Sequence, residues 1–210
     1  MKKNEKFVIT INREVGSGGR TVGRKLSERL NVKYYDKALV EGLTKKYGLT
    51  LDEIERLKAG KTSWWDEFNG FYHSFIGSSN NSEAADKPTT ASMFETERKI
   101  LESLASQESC VVAGRSAFLV FRDWPNRLNV FIQSSTAHRL ERIMSKRGIS
   151  MQKALDVIDE VDAGREAYIK KYSDKSRYDT RNYQLVISMD ELSEDAAVDI
   201  IIAYLNGVMV

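Results

Sequence analysis

Thiol, imidazole and excess charge are all scarce in this chain of 210 residues. Its single cysteine, Cys110, excludes an intramolecular disulfide and a metal site built of cysteine alone. With only two histidines, His73 and His138, a zinc centre would need a mixed ligand set, and none is expected. Lys plus Arg (32) nearly cancels Asp plus Glu (30), so bulk electrostatics give no reason to expect nucleic acid or a membrane surface as partner. No apolar run approaches the ~20 residues of a membrane span. The basic start, Met1 to Lys6, leads into the run Phe7 to Ile11, which is too short for a signal-peptide core. A cytoplasmic location is the expectation.

What is present is ordinary in bulk: 41% hydrophobic and 30% charged residues, the balance of a globular chain. The length fits one domain over residues 1–210. Phe7-Val8-Ile9-Thr10-Ile11 has the pattern of a strand buried on both faces. Gly16-Ser17-Gly18-Gly19 follows, and then a helix over Thr21–Leu30 with Val22, Leu26 and Leu30 on one stripe. Strand, glycine loop and helix open a βαβ unit. Further strands are expected at 33–35, 110–113, 128–132 and 185–187. Helices are expected at 37–46, 51–58, 93–105, 136–147, 196–205 and from the cap Ser150 to about Tyr172. The last of these carries Met151, Ala154, Leu155, Ile158 and Val161 as its apolar stripe, extended by Tyr168 and Tyr172. Five strands separated by helices predict an α/β fold with a parallel sheet covered on both faces.

Residues 60–92 break the rhythm. Glycines, the run Ser78 to Ser82 and Pro88 alternate with Trp64-Trp65, Phe68, Phe71-Tyr72 and Phe75. A structureless loop of this length is unusual inside a compact domain, so an aromatic helical insert with a mobile tip is expected. Its tryptophans could stack on a base, although packing onto the body is the simpler reading. The same aromatics could also form a homo-oligomer interface.

The glycine loop is the sharpest chemical signal. Backbone N–H groups of such a turn point at an anion, and the helix N-terminus behind it adds its dipole. The phosphate-loop pattern G-x-x-x-x-G-K-[ST] maps onto Glu14-Val15-Gly16-Ser17-Gly18-Gly19-Arg20-Thr21. Gly19 and Thr21 fit the pattern, whereas Glu14 replaces the first glycine and Arg20 the lysine. Arg20 can neutralise phosphate as a fork rather than a point charge. Thr21 offers a hydroxyl ligand for Mg²⁺. Glu14 disfavours phosphate unless paired, and Arg13 is its available partner.

Three other places could carry chemistry. Gly114-Arg115-Ser116 lies just beyond a strand end, where doubly wound sheets bind ligands, although a surface salt bridge would account for Arg115 alone. Asp36 ends another strand and is equally a Mg²⁺ or substrate-hydroxyl acceptor and a helix N-cap. A cationic run follows: Arg139, Arg142, Lys146, Arg147, Arg165, Arg177 and Arg181. Arg139 and Arg142 share a helix face, and phosphoryl transfer needs such charge around the phosphates, here from a closing lid over 139–181.

Taken in order, Phe7 to Arg20, Tyr35-Asp36, Val112-Ala113-Gly114-Arg115 and Asp162-Ala163-Gly164-Arg165 resemble the cytidylate kinase-like family, a divergent branch of the P-loop nucleoside-monophosphate kinases. The resemblance implies transfer of the γ-phosphoryl group of ATP, with Mg²⁺, to a small acceptor of CMP or dCMP type. It implies that Gly16, Ser17, Gly18, Gly19, Arg20 and Thr21 hold the nucleotide, and that Arg20, Arg139 and Arg142 assist transfer. Asp36, Arg115, Asp162 and Arg165 would hold the acceptor. Ser116 stands where the family's G-R-D motif has the base-reading aspartate, which leaves the acceptor base open. Two alternatives stay open: a P-loop kinase for another small molecule, and a nucleotide-binding regulatory module without turnover.

Overall fold

The computed structural model describes residues 1–2, 5–36, 91–114 and 116–208, with Ala91–Met93 described as backbone only. The insert, the helices expected between 37 and 58, His73 and Arg115 lie outside the described residues. Five strands form one sheet: β1 (Val8–Arg13), β2 (Lys33–Asp36), β3 (Cys110–Ala113), β4 (Arg127–Gln133) and β5 (Leu185–Ser188). Their order is β2-β3-β1-β4-β5, and every pairing is parallel. β1 is central, with all six residues buried, as its β-branched apolar run requires.

The helices are α1 (Gly19–Leu30), α2 (Ala91–Gln107), α3 (Ala117–Val120), α4 (Thr136–Arg147), α5 (Met151–Tyr172) and α6 (Glu194–Val208). Ile9 and Ile11 of β1 lie on the face covered by α1 and α6, packed with Val22, Leu26, Val198 and Ile201. Lys25–Asp195 and Arg29–Asp199 pairs, at 2.6 and 2.7 Å, tie those two helices together along their exposed edge. The other face is aromatic, where Phe118, Phe131, Ile169 and Tyr183 form a cluster. Phe94 of α2 stacks on Tyr172 of α5 with ring centroids 4.4 Å apart. Polar side chains on this face are paired: Thr10 Oγ1 donates to Asn129 Oδ1 at 2.8 Å, and Asn12 Nδ2 to Tyr183 Oη at 2.5 Å.

A third cluster joins α4 and α5 to the glycine loop itself, through Val15, Ile143, Ala154, Ile158 and Val161. Met151, expected to begin the apolar stripe of α5, is instead 58% exposed. It occupies the first turn, before the helix reaches this cluster. Helix α1 starts two residues earlier than expected, because Gly18 adopts the left-handed conformation (φ 84°) and serves as N-cap without any side-chain bond.

Candidate functional site

All five strands point their carboxyl ends to one edge of the sheet, since all are parallel. The chain leaves β1 for β2 on one side, while β4 lies on the other, so the crevice beyond β1 and β3 is a topological switch point. Residues 14–21 fill it. Gly16 (φ 82°) and Gly18 (φ 84°) are left-handed, a conformation costly for any residue bearing a Cβ. A methyl group on Gly16 would also come within 2.9 Å of the Arg139 carbonyl oxygen. Ser17 Oγ donates to the carbonyl oxygens of Glu14 (2.9 Å) and Ile132 (3.2 Å), fixing the bend. Gly19, Arg20 and Thr21 then form the opening turn of the 12-residue helix α1. A helix N-terminus of this kind carries backbone N–H groups and a dipole that favour an anion.

The predicted cations divide into two sets. Arg142 stands over the loop: a methyl on Gly18 would meet its Cζ at 3.4 Å, and its Nη2 lies 3.4 Å from Thr21 Oγ1 and 2.6 Å from Glu194 Oε1. Burial is the largest influence and works against charge on Glu194, but the Arg142 hydrogen bond, the residue's own backbone N–H and the charges of Arg142 and Lys25 together outweigh it and hold the carboxyl below its ordinary value. Arg139 turns inward instead. Its Nε donates to the Val15 carbonyl at 2.8 Å, its Nη1 lies 3.4 Å from Glu14, and its Nη2 is bound to Asp162. Lys146 and Arg147 are exposed at the end of α4, and Arg181 pairs with Asp179 at the surface.

Asp162 is a hub. Its buried carboxylate accepts from the Val15 N–H (3.1 Å) and from Arg139, Arg165 (3.3 Å) and Arg177 (3.1 Å). Arg165 and the fully buried Arg177 also donate to the Arg13 carbonyl oxygen. Asp162 and Arg165, expected at the acceptor, therefore grip residues 13–15 and hold the loop's entry in place. The stretch expected to act as a lid anchors the loop through its inner faces.

Arg20 and Asp36 are brought together. Arg20 Nη2 and Nε donate to Asp36 Oδ2 at 2.7 and 3.2 Å across the ends of α1 and β2. Beside them burial pushes the Tyr34 phenol up to about 12, a rise reinforced by Asp36 and opposed by Arg13, Arg20 and Arg24. Glu14 is not paired with Arg13. It faces Arg139 and accepts from the Ser134 N–H at 3.1 Å. The expected Arg13–Glu14 pair fails because strand alternation sends Arg13 to the α1 face, after Ile9 and Ile11, while Glu14 turns toward β4.

Around residue 115 the backbone is unusual. Gly114 (φ 82°) and Ser116 (φ 51°) are both left-handed, and Ser116 is buried. A non-glycine residue in that region carries strain of the kind found at ligand sites.

Among the described residues five guanidiniums (Arg20, Arg139, Arg142, Arg165, Arg177) thus pair with four carboxylates (Glu14, Asp36, Asp162, Glu194) around one glycine loop, and Arg13 adds a sixth guanidinium outside these pairs. The excess is positive, as a site for phosphate requires. Among the described residues no group of three or more His, Cys, Asp or Glu side chains is placed to hold a metal. A Mg²⁺ ion would fit here as it does where phosphates supply most of its ligands, with Thr21 adding a hydroxyl. Cys110 is buried in β3, and His138 lies in the first turn of α4, where its backbone N–H donates to the capping Ser135 Oγ at 3.3 Å. The sequence reading missed the anchoring role of Arg177 and the isolation of Arg13. For Arg13 the signal was available, since it continues the buried alternation of Ile9 and Ile11.

The family model described as cytidylate kinase-like matches residues 8–191. A cytidylate kinase from Sulfurisphaera tokodaii is 24% identical over 201 residues, covering 95% of this chain and 96% of that protein. An uncharacterized protein from Eubacterium ventriosum has a solved structure that superposes with a TM-score of 0.71 at 24% identity, covering 96% of this chain and 99% of that one. The shikimate kinase of Bacteroides thetaiotaomicron shares the fold at a TM-score of 0.53 and 16% identity, covering 95% and 98% of the two chains. No described helix is long and apolar enough to cross a membrane.

Proposed function

Since this chain belongs to the cytidylate kinase-like family, we propose that it binds Mg²⁺-ATP at residues 14–21 and transfers the γ-phosphoryl group to a small acceptor, a nucleoside monophosphate of CMP or dCMP type. The observation that carries this reading is the loop itself: two left-handed glycines leading into the N-terminus of α1 at the switch point of a parallel sheet.

In this reading the N–H groups of Gly18, Gly19 and Arg20 hold the phosphates, and Gly16 and Ser17 shape the turn. Thr21 would hold Mg²⁺ through its hydroxyl oxygen, and the ion would supply neutralisation of phosphate charge. Arg142 reaches the transferring group from above and gains reach when its hold on Glu194 loosens. Arg139 acts one step back: bound to Val15 and Asp162, it positions the loop while neutralising Glu14. The acceptor lies beyond β2 and β3, against Asp36 and Arg20, with Asp162 and Arg165 supporting from the loop side; Arg115 is assigned to it by the sequence motif alone. Phosphoryl transfer asks for placement and positive charge more than covalent help, and this set supplies both.

The test is incubation with Mg²⁺-ATP and, separately, CMP, dCMP, UMP, AMP and GMP, following ADP release and the diphosphate product. Turnover with CMP or dCMP is the expected result. A melting temperature raised by ATP without turnover on any of the five would leave the loop assignment standing and move the acceptor outside the nucleotides. No effect of ATP on melting and no turnover would remove the whole reading.

A further inference from the structure

Arg13 is the last residue of the central strand and 8% exposed, yet its Nε is buried without a hydrogen-bond partner. Among the described residues its guanidinium enters no hydrogen bond or ion pair at all. Among the described residues the carboxylates nearby are engaged elsewhere: Glu14 with Arg139, Asp36 with Arg20, and Asp162 with three arginines. A buried cationic fork is costly to keep without a hydrogen-bond acceptor, so this one is suited to an anion.

The course of the side chain shows where that anion would sit. A methyl on Gly19 would come within 2.6 Å of Arg13 Cβ and 3.0 Å of Cγ, and a methyl on Gly114 would collide with Nη1. Arg13 therefore threads beneath the first turn of α1, through space that two glycines leave free, and ends against the carboxyl end of β3. That point joins the phosphate loop to the Gly114–Ser116 turn. Arg20, which the loop pattern places in the lysine position, has its guanidinium on Asp36.

We infer that Arg13, supplied from β1 rather than from the loop, is the cation that binds the transferring phosphoryl group, with its fork donating to phosphate oxygens between the loop and the end of β3. This rests on the reading of residues 14–21 as a phosphate site and adds a binding residue to it. The loop lysine is replaced by an arginine on the strand, and Gly19 and Gly114 are small because that side chain passes them.

Arg13→Met, which keeps the packed stem and removes the charge, separates this role from a structural one. The expected result is an unliganded melting temperature equal to or above that of the parent protein, because an unpaired buried charge has gone. Affinity for Mg²⁺-ATP and for inorganic tripolyphosphate, by titration calorimetry, should fall on the order of 10- to 100-fold. Arg13→Lys, which retains charge but not the fork, should fold and bind about tenfold more weakly. Gly19→Ala should weaken binding and lower the melting temperature in the parent and in the Arg13→Met background alike, since methionine keeps the Cβ and Cγ that a methyl on residue 19 would meet. Parent-like affinity in both Arg13 variants would overturn the inference while leaving the phosphate loop intact. A lowered melting temperature with unchanged affinity in Arg13→Met would overturn it equally. A parent protein that binds neither ATP nor tripolyphosphate would instead remove the loop assignment, and this inference with it.

Discussion

Asp162 carries more of the site's architecture than any other single side chain, since one buried carboxylate serves three guanidiniums and the Val15 N–H. Removing one partner of a buried ionic group leaves the others uncompensated, at a cost of about 3–5 kcal/mol. Asp162→Asn should therefore lower unfolding stability in urea by that order, and it should also weaken nucleotide binding by releasing residues 13–15. Stability reduced by less than about 1 kcal/mol would show that the arginines find other acceptors. Glu194 makes a different prediction. Its folded pKa lies below the ordinary 4.5, so its pairing with Arg142 stabilises the native state above that value. The contribution is lost as pH falls through the lowered folded value. Glu194→Gln should lower stability by a constant amount near neutrality and flatten the stability-versus-pH curve in that acid window, so that variant and parent converge at low pH. At this scale the sequence was a partial guide. Lys146, Arg147 and Arg181 stand at the surface, whereas Arg20, Asp36, Arg139, Arg142, Asp162, Arg165 and Arg177 all lie around the loop. Their pairings were hidden, because which carboxylate meets which arginine depends on how α4 and α5 fold back onto Val15. Asp162 and Arg165 share a helix face by spacing alone, but their grip on β1 spans about 150 positions of chain.

At the scale of elements, strands and helices were legible because their periods are. β3 was read at its observed bounds, as was α4, and α5 starts one residue after its predicted cap, Ser150. Helix ends set by glycine conformation were not legible, since a left-handed N-cap such as Gly18 leaves no side-chain signature. The same conformation makes the loop sensitive. Gly16→Ala would place a Cβ in a left-handed residue, costing about 1–2 kcal/mol, and would press it against the Arg139 carbonyl as well. Thermal unfolding should show a loss of at least that size. Gly164→Ala on α5, where a methyl meets nothing within 4 Å, should be neutral or stabilising and is the control.

For the whole molecule, Cys110 is a natural reporter. It is fully buried in β3, and burial pushes its thiol well above the ordinary range, so labelling by a thiol reagent requires opening of the sheet. Mg²⁺-ATP at 100 times its dissociation constant should slow that labelling about a hundredfold by mass action if the folded state alone binds nucleotide. Fast labelling of the unliganded native protein would mean that β3 opens without global unfolding. The position of β1 also has a consequence for synthesis. Val8 pairs with Cys110 and Arg127, so the central strand has no neighbour until more than a hundred further residues exist. At about 5–20 residues per second, the ribosome leaves this apolar, β-branched segment unpaired for roughly 5–20 s. The strand that organises the finished sheet is thus the one longest exposed to chaperones and to other nascent chains.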